Sequence, residues 1–342
     1  MRIGSNPAKK DKVEIDNTYH RIVIPVYIPN LNDFFKESLE VLKLCLESLY
    51  TTVHSNTRIS IASNGCCKEV NDYLAVEFEA NRIDELYQIK SGIGKINSLY
   101  KIINSVKEPL ITISDADVLF TSGWQDAVEK IFIDYPKAGM VCPFSYSKGF
   151  RELTANIYFD NLFNKNIKVT EIKSPEGLEH FAKSIGNEGF YKDIHKKYGI
   201  TYQEKGKSRA LIGAGHFVAT FKRAVFPAYE FKSNLQRLAS GEGLYIDSPP
   251  VQSGLWRLST NYNFVYHMGN TVTPMYLDIV SNNNNDTPKD MSNLPVVKKE
   301  AKFLFALKNN LFNRYFFSNK LFGWYLTRIG LTKNEVKQYL NL

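Results

Sequence analysis

"LITISDADVLF" (residues 110–120) decides how this chain is read. An apolar, β-branched run ends abruptly in two carboxylates, Asp115 and Asp117. The run reads as a buried strand. Alternate residues of an extended segment point the same way, so both carboxylates can face one site. They repel unless something positive sits between them. A hard divalent cation with oxygen ligands, Mn²⁺ or Mg²⁺, would relieve that repulsion. The bland alternative is that Asp115 only ends the strand and Asp117 caps a helix starting near residue 122.

Outward from this stretch, strands and helices alternate. Strands are expected over 21–29, 58–65, 83–90, 109–114 and 138–143. Helices are expected over 33–50, 68–80, 94–106 and 122–135, with Leu39, Leu42, Leu46 and Leu49 forming one apolar stripe. This rhythm implies βαβ units and a mostly parallel central sheet flanked by helices, an α/β fold. Ligands of such sheets bind beyond the carboxyl ends of the strands, where the two aspartates lie.

After residue 145 the periodicity weakens. Residues 146–210 show no clear pattern, 211–226 suggest a Gly-marked loop, a strand and a helix start, and 244–260 a loop and a short helix. A strand is expected within 263–270. The organisation expected is a mobile lead-in (1–20), a first half (21–145), a second half (146–280), a polar linker (281–296) and a basic, aromatic helical extension (297–342). That tail has two readings. It packs on the catalytic domain, the favoured one, or it lies on an anionic bilayer as an interfacial helix.

Composition narrows the classes. The 342 residues are 44% hydrophobic and 23% charged, as in ordinary globular proteins. No apolar run approaches the ~18 residues of a membrane span. The polar N-terminus lacks the apolar core of a secretion signal. The four cysteines include no C-x-x-C pair, which argues against a disulfide framework or structural zinc and suggests a reducing, cytoplasmic setting. A formal charge of +8 favours an anionic partner: a phosphate ester, a membrane surface or nucleic acid. No nucleic-acid-binding motif accompanies it. "GIGK" (92–95) has neither the Rossmann nor the P-loop glycine spacing, but Gly94 and Lys95 open a helix, a favourable place for phosphate.

Taken in order, "IPVYIPN", "LKLCLESL", "GKINSLY" and "SDADVLF" resemble the motifs of family 2 glycosyltransferases with the GT-A fold. The resemblance covers roughly the first 145 residues, and it implies that 21–145 are the nucleotide-sugar-binding half and 146–280 the acceptor-binding and catalytic half. It implies a GT-A nucleotide-diphospho-sugar transferase fold with a C-terminal helical extension. It also implies an inverting, metal-dependent transferase of the EC 2.4 type, acting in surface polysaccharide or glycolipid biosynthesis. The donor would be a nucleoside diphosphate sugar, most often of UDP type, and the acceptor a glycan or a lipid-linked hydroxyl. Pro25, Tyr27, Asn64, Gly94, Lys95, Asp115 and Ala116 would bind the donor; Asp115, Asp117 and His267 would hold the metal. Asn64 stands where the family usually has an acidic residue, and Ser98 and Tyr100 also depart from its pattern. Asp247 or Glu242 would be the base, Asp247 slightly preferred. Asp247 could instead be only an N-cap, and His267 only a hydrogen-bonded loop histidine. Gly213 and Gly215 of "IGAGHF" would allow close backbone approach, and Trp256 and Arg257 either shape the sugar pocket or pack the core. The rival functions are a sugar-1-phosphate nucleotidyltransferase and a non-catalytic nucleotide-sugar or surface-binding protein. A cytoplasmic enzyme, peripheral on the inner face of the membrane by the second reading of the tail, is expected, with no nucleic-acid partner.

Overall fold

A computed structural model of the protein describes residues 5, 6, 9, 11, 12, 17–233, 241–295, 297 and 300–342. In chain order its strands are β1 (His20–Val26), β2 (Thr57–Asn64), β3 (Glu85–Ile89), β4 (Leu110–Ser114), β5 (Val118–Phe120), β6 (Ala138–Cys142), β7 (Ile167–Glu171), β8 (Tyr198–Tyr202), β9 (Ala210–Ile212), β10 (Val218–Lys222), β11 (Trp256–Thr260) and β12 (Val265–His267). Ten of them form one sheet in the order β3-β2-β1-β4-β10-β6-β11-β9-β8-β7, and β5 and β12 pair separately.

The strands β3, β2, β1 and β4 run parallel. Each is followed by a helix or by the turn that carries the aspartates. The helices are α1 (Ser38–Tyr50), α2 (Lys68–Glu79), α3 (Lys95–Ile103) and, after β5, α4 (Trp124–Asp134). Their apolar stripes face the sheet: α1 buries Val41, Leu42, Cys45, Leu46 and Leu49, and α3 buries Ile96, Leu99 and Ile103. The chain leaves β1 on one side and returns to β4 on the other. The crevice beyond β1 and β4 is therefore a topological switch point.

The remaining strands are mixed. β10 lies antiparallel between β4 and β6, β11 is parallel to β6, and β9, β8 and β7 extend the sheet antiparallel. Residues 146–210, which show no period, hold α5 (Ala155–Asp160), β7, α6 (Pro175–Ser184), α7 (Asp193–Lys197), β8 and the start of β9. These elements are short, and short elements carry too few repeats to register a pattern. The loop-and-helix reading of 244–260 needs correcting. α8 (Ser248–Gln252) is there, but Trp256–Thr260 is the buried strand β11. It hides its period because both faces are covered and its polar members find internal partners; Arg257 donates to Ala214 O, Glu152 O and Asp247.

Two polar devices fasten the parallel half. At the edge opposite the switch point, His20 Nδ1 and His54 Nε2 lie 2.8 and 2.9 Å from the same oxygen of Glu129, and Tyr19 donates to its other oxygen. Burial works to raise this carboxyl, but the His20 and His54 hydrogen bonds override it and leave it at about 2. Burial keeps His20 neutral, below its usual range. The second device is the polar stretch after α9 (Pro274–Ser281). Asp286 accepts from the N–H groups of Gly123, Gln125 and Asp126, and Asn283 accepts from Ser122 N. The free amides at the start of α4 are thus satisfied from far along the chain, not by Asp117.

The C-terminal tail is helical: α10 (Lys302–Ala306) runs through a wide π-type turn at 307–312 into α11 (Asn313–Phe316), followed by α12 (Asn319–Ile329) and α13 (Lys333–Leu340). Its inner face packs on the domain through Phe316, Phe322, Tyr325 and Tyr339, whose rings meet Phe150 and Tyr158.

Candidate active site

The carboxyl ends of β1, β2 and β4 open into a cavity of about 690 Å³. Pro25 lines it from β1 and Tyr27 from just beyond that strand, Asn64 from β2, Lys95 from α3, and Asp115, Ala116 and Asp117 from the turn after β4. His267 comes from the end of β12 and Glu242 from the start of the π-type helical turn (Gly243–Asp247) that runs into α8. The cavity thus gathers most of the residues proposed from sequence. Gly94 is the N-cap of α3 with φ +86, a left-handed conformation that suits glycine. Asp247 lies instead in a neighbouring cavity of about 320 Å³, with Tyr146, His216 and Arg257.

The aspartate turn is fixed by its neighbours. Asp115 N–H donates to Phe217 O at 2.8 Å, and Asp117 O accepts from Met268 N–H at 2.8 Å. β5 and β12 pair with His267 opposite Val118, which carries the imidazole to Asp117. Their Nε2 and Oδ2 atoms lie 3.4 Å apart. Ser184 orients the imidazole. Its hydroxyl donates to Phe181 O, so at 2.9 Å it accepts from His267 Nδ1–H. Nε2 is then the ring nitrogen that faces the Asp117 carboxylate. An imidazole nitrogen and a carboxylate oxygen at that separation can share a proton or take a divalent cation. The other Asp117 oxygen is buried with no hydrogen-bond partner among the described residues. Burial raises the Asp117 carboxyl; the nearby His267 opposes this and Asp115 adds to it. This donor set fits a divalent cation.

Asp115 is engaged differently. Lys95 Nζ lies 2.6 Å from Asp115 Oδ1 and 2.5 Å from Glu242 Oε1. Burial pulls the Lys95 ammonium down, but the two carboxylates hold it well above the usual lysine range. His216 continues the chain of charges: Nε2 is 3.3 Å from Glu242 Oε2, and Nδ1 is 2.9 Å from Asp247 Oδ2. Hydrogen bonds to Asp247 and Glu242 raise His216 to about 10. Those from His216, with the charge of Lys95, bring Glu242 to about 2 although burial opposes it. Arg257, buried on β11, completes the row 2.7 Å from Asp247 Oδ1. Asp247 makes no side-chain cap on α8; its oxygens serve Arg257 and His216 instead.

His216 links the two cavities and was not singled out from the sequence, although it follows Gly215 within "IGAGHF". Phe34 and Phe35, which line the donor-side cavity, were missed too. They carry no polar signal and sit in a short helical turn before α1. Trp256 takes no part in either cavity; its ring meets Tyr202 and its N–H donates to Asp160. Gly213, with φ +110, is required by packing, since a Cβ would stand 2.5 Å from Gly149 O. Asn64 Oδ1 accepts from Ile93 N–H at 2.8 Å, tying β2 to the loop before α3.

No protein-family model matches the chain, and no curated protein does. Solved structures show remote likeness. The mannosyltransferase PcManGT from Pyrobaculum calidifontis, in complex with GDP-Man and Mn²⁺, is 14% identical, with a TM-score of 0.38 over 97% of this chain and 72% of that one. S. aureus TarS is 10% identical, with a TM-score of 0.40 over 94% of this chain and 42% of that one. Its 1–349 fragment aligns over 36% of this chain and 35% of its own, at 12% identity and a TM-score of 0.30. At these scores the likeness assigns nothing, and function has to be argued from the site.

Proposed function

We propose that the protein is a metal-dependent, inverting glycosyltransferase that uses a nucleoside diphosphate sugar, UDP-linked in the first instance, and a hydroxyl acceptor of a glycan or lipid-linked glycan. The observation that carries this reading is the His267–Asp117 pair. An imidazole at the end of β12 and a carboxylate in the turn after β4 meet inside the cavity at the switch point of the parallel strands. Asp117 and His267 would hold Mn²⁺ or Mg²⁺, with Asp115 beside them. The cation, when bound, supplies charge stabilisation to the departing diphosphate. Pro25, Tyr27 and Asn64 would seat the nucleoside, and Lys95, at the start of α3, would share its charge with a phosphate.

The acceptor hydroxyl attacks the anomeric carbon as the bond from that carbon to the diphosphate oxygen breaks, which inverts the configuration. Glu242 lines this cavity and Asp247 does not, so we assign Glu242 the proton released by the hydroxyl. Asp247, tied to Arg257, positions His216 against Glu242. A donor phosphate that draws Lys95 away from Glu242 would raise the basicity of that carboxylate at the moment it is needed.

The test is nucleoside diphosphate release from a panel of nucleotide sugars, with Mn²⁺ and with EDTA, for wild type and Asp117→Ala. Metal-dependent release from one donor, lost in the variant, is expected. Absence of both release and metal-dependent donor binding by calorimetry overturns the proposal.

A further inference from the structure

The inner face of the C-terminal tail is buried, but its outer face is both apolar and basic. On α12, Lys320, Trp324 and Arg328 recur every fourth residue and so share one stripe. Trp324 is 59% exposed, and its neighbour Leu321 is 42% exposed. In the preceding helical stretch Leu311 and Tyr315, also four apart, are 53% and 62% exposed, with Arg314 beside them. Residues 301–342 contain seven Lys and Arg and one carboxylate, Glu335. Lys308 is buried against Asp160 and Glu300. Arg314, Lys320 and Arg328 have no carboxylate partner among the described residues, and Arg328 instead covers the Trp324 ring at 5.8 Å.

We propose that this outer face docks on an anionic lipid bilayer. Tryptophan and tyrosine with unpaired cations between them match the interface, where rings enter the headgroup level and cations meet lipid phosphates. Charge selects this occupant, because a second copy of the chain would bring like charge against it. No helix among the described residues is long and apolar enough to cross a membrane, so the contact is peripheral. The proposal does not depend on the transferase reading.

The chain carries its own reporter. Of its three tryptophans, Trp124 and Trp256 are buried and Trp324 is exposed. The full chain is mixed with vesicles of phosphatidylglycerol and phosphatidylcholine, or of phosphatidylcholine alone, and followed by sedimentation and tryptophan emission. Binding to the anionic vesicles only is expected, with a blue shift and release by salt. Trp324→Ala should abolish the shift and weaken binding by about tenfold, the order expected for losing one half-buried ring. Arg314→Glu with Lys320→Glu and Arg328→Glu should prevent binding while the unfolding temperature stays close to that of wild type. Failure to sediment with anionic vesicles overturns the proposal, as does equal binding to neutral ones. So does a blue-shifted Trp324 in a dimer formed without lipid. Unchanged nucleotide-sugar turnover in any of these cases leaves the transferase reading standing.

Discussion

Replacing Lys95 by methionine keeps the length of the side chain and removes its charge. Lys95 Nζ stands between Asp115 and Glu242 at 2.6 and 2.5 Å, so the two carboxylate oxygens are at most about 5 Å apart. At that separation, with an effective dielectric constant near 20, two unit charges repel by about 3 kcal/mol. His216 remains on the far oxygen of Glu242, so this figure is an upper value. One carboxylate should respond by taking up a proton nearer neutral pH. A carboxyl whose folded pKa lies above its unfolded value costs stability at high pH, and the cost disappears as pH falls through the folded pKa. For a chain of 342 residues, about 3 kcal/mol corresponds to about 4 °C in unfolding temperature. The assay is calorimetric unfolding of wild type and Lys95→Met between pH 5 and pH 8.5, with and without Mn²⁺. The variant should melt lower at pH 8, by up to about 4 °C, approach wild type towards pH 5.5, and gain more than wild type from Mn²⁺. Equal melting at pH 8, or parallel profiles, would refute the reasoning that Lys95 holds these carboxylates together.

Two further outcomes follow from the fastenings of the parallel half. Asp286→Ala leaves three α4 amides without their acceptor and should cost about 2 kcal/mol, read as a lower midpoint in urea with an unchanged slope. The His20–His54–Glu129 cluster makes the fold acid-sensitive. Buried His20 stays neutral while its unfolded counterpart takes up a proton below about pH 6.5, so stability begins to fall there. Glu129, lowered from 4.5 to about 2, contributes about 3 kcal/mol above pH 4.5, and this is lost as pH falls towards 2. Glu129→Gln should flatten the stability profile below pH 4.5 and lower stability at pH 7, measured by urea unfolding across pH.

The first 145 residues were legible because their helices bury one face at helical spacing and their strands are short apolar, β-branched runs. Leu42, Leu46 and Leu49 mark α1, and the run ending at Asp115 marks β4. Asp115, Asp117 and Lys95 were also readable, since strand ends and helix starts are local features. The later half was not, because β11 buries Arg257, Ser259 and Thr260 and so makes no apolar run to read. The polar stretch after α9 looks like a linker by composition, yet Asp286 spends its oxygens on α4, some 160 residues earlier. Sequence by itself determined which side chains can bind a cation and where strands end. Only tertiary structure decided which of them meet. The β5–β12 pairing brings His267 to Asp117, and the return of the chain through "IGAGHF" puts His216 between Glu242 and Asp247. Spacing along a chain fixes contacts only within one element; contacts between elements depend on how the strands are ordered in the sheet.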